Sequence, residues 1–309
     1  MRSLYTFLII ICAFQLCRAQ DVRFIMPLKG TPGKDFFINY YVDHDSTDGF
    51  YNVFCNKQTY NGHRGTDLIL RNFKTMDSGV FIYAAADGRV FEVDDGHYDR
   101  SKIWVRGGLG NHVAIIHKNR VCTYYGHMMK HSLLVKMGDS VKTGQPIGKV
   151  GSSGYSSYPH LHFEVRDQHN VSIDPFSGNC SPGSPSLWVQ QPLPDTAIYS
   201  ADDGFIRFRP NQDTLKEGLD VTYNFINNED SVVCYWVLMH GMHQGDKSRI
   251  EWYSPQHLLW FKMDHIWSTD WHWGYTWFYL NMPLRKGEWL AKYYVNDKFI
   301  ISRSFRVVN

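Results

Sequence analysis

From Phe24 to about Phe176 the chain runs in short apolar or alternating stretches broken by Gly, Asp and Asn, with hardly a sustained 3.6-residue period anywhere. This pattern predicts strands. Residues 80–83 lead into Ala84-Ala85-Ala86 and an Asp87-Gly88 turn, residues 113–116 are a continuous apolar run, and residues 121–125 follow after a tight connection. Residues 135–141 and 144–148 read as strand, turn and strand, with glycines where a positive φ is cheap. Residues 160–165 alternate with period two, which throws His160, His162 and Glu164 to one face and Leu161, Phe163 and Val165 to the other.

Between Cys180 and Pro194 the composition changes to Ser-Pro-Gly-Ser-Pro-Ser and Gln-Gln-Pro-Leu-Pro, which packs poorly and marks a boundary. Beyond it, residues 221–226, 232–239, 276–280, 288–295 and 299–307 read as strands again, with turns at Asn228-Glu229-Asp230 and Asn296-Asp297. The expectation is an all-β chain: a first domain over 20–180, a linker over 181–194, and a small β-sandwich of immunoglobulin-like type over 195–309. Tryptophans cluster in the second domain at Trp267, Trp271, Trp273 and Trp277. At alternating positions they are read first as core of the sandwich, and second as a platform for a ligand.

The first residues add a compartment. Arg2 precedes an apolar run over 4–16, followed by Cys17-Arg18-Ala19, which reads as a signal peptide over 1–19. The run is shorter than the ~20 residues that a bilayer span takes, so no stable membrane insertion is expected once it is removed. Phe14-Gln15-Leu16 before Cys17 is a poor match to the small residues that lipoprotein processing prefers. The expected location is secreted or periplasmic. A formal net charge of +2 gives no field strong enough to hold nucleic acid.

Without the signal peptide, Cys55, Cys122, Cys180 and Cys234 remain for an oxidising compartment, and four cysteines allow three pairings. Cys55 lies just before the first candidate metal motif and Cys180 just after the last, which favours a bridge between these two. No pair has the short spacing of a zinc-thiolate site.

Three segments carry candidate chemistry. Gly62-His63-Arg64-Gly65-Thr66-Asp67 offers an imidazole and a carboxylate on a loop entering the strand Leu68-Ile69-Leu70. His160-Leu161-His162 offers two imidazoles on one strand face, which taken alone fits a solvated edge strand equally well. Tyr125-Gly126-His127 places a third imidazole at the end of a strand. Each is weak by itself; their joint occurrence, in this order and in one exported β-domain, is the signal.

On these motifs residues 24–176 resemble the LytM-type, or lysostaphin-type, M23 zinc peptidases. Ala85-Ala86-Asp87-Gly88, Gly110-Asn111-His112-Val113, Gly138-Asp139-Ser140-Val141 and the run from Gly148 to Gly154 add to the resemblance. It implies a LytM-type β-sheet domain of barrel-sandwich-hybrid character, with one zinc ion held by His63, Asp67 and His162. It implies that His127 and His160 face the catalytic water and substrate, without dividing the roles between them. Glu164 is read either as a partner behind the metal ligands or as a rim carboxylate. Residues 155–159 are expected to wall the substrate groove, and Asn39 to lie on a plug or, better, an edge strand. Residues 52–60, with Cys55, depart from the family's usual entry to the first motif, so the loop shape is open.

The implied function is an exported zinc endopeptidase acting on peptidoglycan stem or cross-bridge peptides, a monomer by default. The alternatives are a secreted protease of glycine-rich or elastin-like proteins and a non-catalytic regulator of wall hydrolases.

Overall fold

A computed structural model describes residues 22–101, 108–194, 197–219 and 222–308. The expected signal peptide at 1–19 lies outside the described residues. In the first part of the chain the strands are β1 Phe37–Tyr40, β2 Thr66–Ile69, β3 Phe81–Tyr83, β4 Gly88–Asp94, β5 His112–Ile116, β6 Cys122–Gly126, β7 Ser140–Val141, β8 Pro146–Lys149, β9 His160–Arg166 and β10 Ser172–Ile173. Eight of them form one sheet in the order β1-β2-β9-β6-β5-β4-β7, with β10 also on β9, while β3 pairs with β8. The period-two reading of β9 holds: Leu161, Phe163 and Val165 are fully buried against Phe24, Tyr125, Phe176 and Trp188. That strand is central, between β2 and β6, so the edge-strand reading of its histidines does not apply. The edge is β1, which carries Asn39. Residues 135–139 do not form the expected strand; only Ser140 and Val141 pair, at the far edge of the sheet.

Cys55 and Cys180 are disulfide-bonded with Cα atoms 5.3 Å apart, while Cys122 and Cys234 are free. Within the stretch read as a linker, Trp188 is buried in the core of the first domain and bridges to Phe24. A large apolar ring offsets the poor packing of the Pro, Gly and Ser around it.

The second part of the chain contains β11 Tyr199–Ile206, β12 Phe225–Ile226, β13 Val232–Met242, β14 Lys247–Tyr253, β15 Leu259–Ile266, β16 Trp271–Asn281, β17 Gly287–Val295 and β18 Lys298–Val307. A sheet β11-β13-β16 faces a sheet β12-β18-β17-β14-β15, and side chains from both, among them Tyr235, Trp252, Phe278, Trp289 and Phe305, make one core. β13 is buried at all eleven positions, as its apolar run from Val232 to Met239 leads one to expect when both faces are covered. Val233, Tyr235 and Val237 point into the sandwich, while Cys234, Trp236 and Leu238 point at the first domain.

Trp267 and Trp271 pack in the sandwich core as expected, while the second contact corrects the reading of Trp273 and Trp277. Trp273, Tyr275 and Trp277 do not fill the sandwich; they pack with Phe37, Ile69 and Tyr158 of the first domain, and the Phe37 and Trp273 rings lie 4.3 Å apart. Two short helices also meet there, α1 Phe73–Asp77 and α2 Gln212–Glu217. Arg100 binds Asp77 at 2.8 Å and Glu217 at 3.0 Å, joining the two helices.

Candidate metal and catalytic site

Sheet register brings the candidate residues together. β2 and β9 run antiparallel with Asp67 directly opposite His162, and β6 pairs on the other side of β9 with Gly126 opposite His162. His162 is therefore flanked by Asp67 on one side and, one residue beyond Gly126, by His127 on the other. Period two puts His160 on the same face. Asp67 sits on β2 itself rather than on the loop before it, while His63 lies on that loop. The loop can close on β9 because Gly65 has no Cβ; one added there would meet Phe163 O at 2.7 Å and His162 Nε2 at 2.8 Å.

Three atoms converge: His63 Nε2 is 3.2 Å from Asp67 Oδ1 and 3.3 Å from His162 Nδ1, and His162 Nδ1 is 2.7 Å from Asp67 Oδ1. All three residues are buried. The outer ring nitrogens are engaged elsewhere. His63 Nδ1 donates to Tyr41 O at 2.7 Å, and His162 Nε2 lies 3.1 Å from Glu164 Oε1. Without a metal, a proton on His162 Nδ1 is shared with Asp67 Oδ1 at 2.7 Å, and a cation bound at the centre takes that proton's place. Once a metal displaces the inner proton of His162, each imidazole, its other N–H committed outward, turns a lone pair to the centre, where Asp67 adds a carboxylate oxygen. This donor set can hold a divalent metal.

Electrostatics point the same way. Burial alone would neutralise His162, but hydrogen bonds and charge from Asp67 and Glu164 push it up to about 10. Burial would also neutralise Asp67, yet the surrounding histidines hold it well below the usual carboxylate range. A site that attracts a proton so strongly attracts a metal cation for the same reason. Glu164 lies behind His162 and is itself held by Arg166. It is 3% exposed, so it is not a rim carboxylate.

His127 and His160 stand beside this centre with ring centroids 4.5 Å apart. His127 Nδ1 donates to Ser153 O at 2.8 Å and His160 Nδ1 donates to Tyr158 O at 2.8 Å. Both keep an Nε2 lone pair, and that of His160 is 3.7 Å from Asp67 Oδ1. Burial followed by neighbouring histidines lowers His127, and burial lowers His160, so both are neutral near pH 7. His127 has a φ of +56°, a left-handed conformation that costs a non-glycine residue about 1–3 kcal/mol. Its N–H to Leu109 O and Met128 N–H to Asn111 O hold that turn.

The cleft over these groups is lined by residues 155–158, as expected, and by Tyr40, Tyr60 and Asn39, which sequence reasoning did not assign to substrate contact. Burial and then the charge of Asp67 raise Tyr40 and Tyr60, so both phenols stay protonated. Proximity of Tyr60 to His63 in the chain was the one signal for it; Tyr40 comes from the edge strand and had none. A larger apolar cleft bordered by Ile25, Met26, Ile38 and Leu193 has no titratable side chain among the described residues of its walls. His112, His117, His131 and His169 do not join the cluster; His117, for instance, bonds Asp87 O and Thr123 Oγ1.

Residues 61–175 match the family described as Peptidase family M23. The chain is 30% identical over 200 residues to the glycyl-glycine endopeptidase ALE-1 of Staphylococcus capitis, a match covering 57% of this chain and 50% of that protein. It is 29% identical over 202 residues to lysostaphin of Staphylococcus simulans, covering 57% and 37% respectively. It is 38% identical over 102 residues to the peptidoglycan DD-endopeptidase ShyC of Vibrio cholerae, covering 33% and 19%. The chain thus spans half or less of the length of these curated relatives.

Proposed function

We propose, for a chain that carries a Peptidase family M23 domain at residues 61–175, that it is an exported zinc endopeptidase hydrolysing peptide bonds in the stem or cross-bridge peptides of peptidoglycan. The observation that carries this reading is the inward convergence of His63 Nε2, Asp67 Oδ1 and His162 Nδ1 within 3.3 Å of one another. Tetrahedral zinc with ligand bonds of about 2.0–2.1 Å sets its ligand atoms roughly 3.3 Å apart, so the set fits zinc with little rearrangement. Three protein ligands leave a fourth position for water. Zinc held there would lower the pKa of that water towards about 7 and polarise the scissile carbonyl.

The remaining work falls to side chains of the cleft. His127 and His160 are neutral, with Nδ1–H anchored to backbone carbonyls and Nε2 free to take a proton from the attacking water. One holds that proton, its Nε2–H then facing the oxyanion, and passes it to the leaving amine, while the other stays neutral and lines the substrate. Tyr40 and Tyr60 supply O–H donors along the cleft. An open groove walled by the small residues Ser156 and Ser157 suits an extended, glycine-rich or short-side-chain peptide. The named activities of the relatives, a glycyl-glycine endopeptidase and a peptidoglycan DD-endopeptidase, support a wall peptide as substrate. No helix among the described residues is long and apolar enough to cross a membrane.

The test is digestion of purified peptidoglycan, with mass spectrometry of the released fragments. New amino termini at one type of stem or bridge bond are expected. Cleavage of glycine-rich or elastin-like proteins without cleavage of peptidoglycan would move the substrate to proteins. Cleavage of neither by metal-loaded protein would contradict the enzymatic reading.

A further inference from the structure

We infer that the second domain is part of the catalytic unit, with Tyr275 on β16 acting as a positioning residue for His160 through Tyr158. The inference rests on the peptidase reading above.

His160 owes its orientation to a short wall of the cleft. Its Nδ1 donates to the carbonyl of Tyr158, two residues back, at 2.8 Å, and lies 3.3 Å from Ser156 Oγ, which itself donates to Tyr158 O at 2.8 Å. The tautomer that leaves Nε2 as the acceptor in the cleft is therefore set by where the Tyr158 carbonyl stands. A shift of that carbonyl turns the imidazole.

Backbone bonds pin this wall only near its ends, from Ser156 N to Gly154 O and from Leu70 N to Pro159 O. Between them the anchor is the Tyr158 side chain, 8% exposed. Its hydroxyl donates to Arg71 O, just beyond β2. The same carbonyl receives the Tyr275 hydroxyl at 3.3 Å, and the two tyrosine oxygens are 3.5 Å apart. The Tyr158 ring is further backed by Trp273, at a centroid distance of 6.5 Å, and by the ammonium of Lys216, 5.9 Å from the ring centroid. All three backing groups belong to the second domain. Phe73 is the first-domain ring on that side, at 6.1 Å.

The chain of contact thus runs from Tyr275 to Tyr158 to His160, and its far end is buried in an apolar cluster shared by both domains. This contact places a hydroxyl pair of the interface directly behind the residue whose carbonyl orients the His160 imidazole. Displacements of about 1 Å in a catalytic group cost on the order of 100-fold in rate, so loosening this support lowers turnover while leaving the metal ligands and the far side of the cleft in place.

The experiment uses the full chain loaded with zinc. Tyr275→Phe and Tyr275→Ala are compared with wild type and with Tyr293→Phe, a buried tyrosine of the sandwich core away from the interface. Three quantities are read: kcat and KM on a wall peptide that wild type cleaves, zinc content, and the imidazole ¹⁵N shifts of His160. The expected result is a kcat fall of about threefold for Tyr275→Phe and about tenfold for Tyr275→Ala. KM stays within about twofold, zinc stays bound, and the ¹⁵N shifts report a weakened Nδ1–H bond at His160. Tyr293→Phe keeps wild-type kcat and His160 shifts.

Wild-type kcat and unchanged His160 shifts in folded, zinc-loaded Tyr275→Ala would overturn the inference, as would an equal kcat loss in Tyr293→Phe. If Tyr275→Ala does not fold, Tyr275→Phe decides by the same criteria. If wild type cleaves no peptide, the peptidase reading fails, and the ¹⁵N shifts alone still test whether Tyr275 sets the His160 hydrogen bond.

Discussion

Glu164 Oε1 lies 3.1 Å from Nε2 of His162, two residues away on the same face of one strand. This contact fixes which nitrogen of His162 carries the proton and turns Nδ1 towards His63 and Asp67. Carboxylates in this position raise the basicity of a ligating imidazole, and their loss typically costs 10- to 100-fold in metal affinity. Glu164→Gln keeps the shape but not the charge. It is expected to raise the zinc dissociation constant about 10- to 100-fold, measured by competition with a chromophoric chelator. An unchanged constant would show that Glu164 serves only its contacts with Arg166 and Arg64.

The two imidazoles beside the ligand set are predicted to govern turnover but not metal binding. His127→Ala and His160→Ala should each retain one zinc ion and lose about 100- to 10,000-fold in kcat, the usual span for general acid–base groups. Metal analysis alongside steady-state kinetics checks this. Loss of zinc from either variant would mean that the imidazole belongs to the ligand set.

Much of this site was legible in the chain because strand periodicity is strict. A period of two put His160, His162 and Glu164 on one face of β9, and the apolar Leu161, Phe163 and Val165 on the other, as found. What periodicity cannot give is register between distant strands. That Asp67 stands opposite His162, and Gly126 next to it, follows from pairings nearly a hundred residues apart in one case. Tyr40, Asn39 and the backbone acceptors Ser153 O and Tyr158 O likewise enter from other segments and have no local signature.

In the second domain, β13 was readable as a continuous apolar run, whereas β15 was not. All eight of its residues are exposed at the sheet edge, with Leu259, Trp260, Phe261 and Met263 outward without alternation. The Trp273, Tyr275 and Trp277 stripe has the spacing of any buried strand face. Spacing does not say whether the partner is the opposing sheet or, as here, another domain.

The Cys55–Cys180 bridge spans a sequence separation of 125 residues and encloses every strand of the first sheet except β1. Removing it in Cys55→Ser/Cys180→Ser is expected to lower stability by about 2–4 kcal/mol, through a larger conformational freedom of the unfolded chain. Urea unfolding of wild type and the double variant measures this; equal midpoints would leave the bridge with no stabilising role.

His272 provides a pH dependence at the interface. It is buried beside Tyr40, with ring centroids 6.2 Å apart, and burial, followed by the nearby His243, lowers it to about 4 from 6.5. The unfolded chain therefore takes up this proton first as pH falls. The stability contributed by neutral His272 is complete above about pH 6.5 and is lost progressively towards pH 4, up to about 3 kcal/mol. Urea midpoints at pH 7 and pH 4.5 should fall less in His272→Asn than in wild type. Identical falls in the two proteins would contradict this assignment.

On the proposed function, one zinc ion on His63, Asp67 and His162 makes this domain a peptidase. Zinc content and release of free amines from peptidoglycan, measured together on the mature wild-type protein and on His162→Ala, test it most directly. One zinc per chain with amine release is expected for wild type, and loss of both for the variant. Wild-type protein that binds no zinc, or a metal-free His162→Ala that still releases amines, would contradict it.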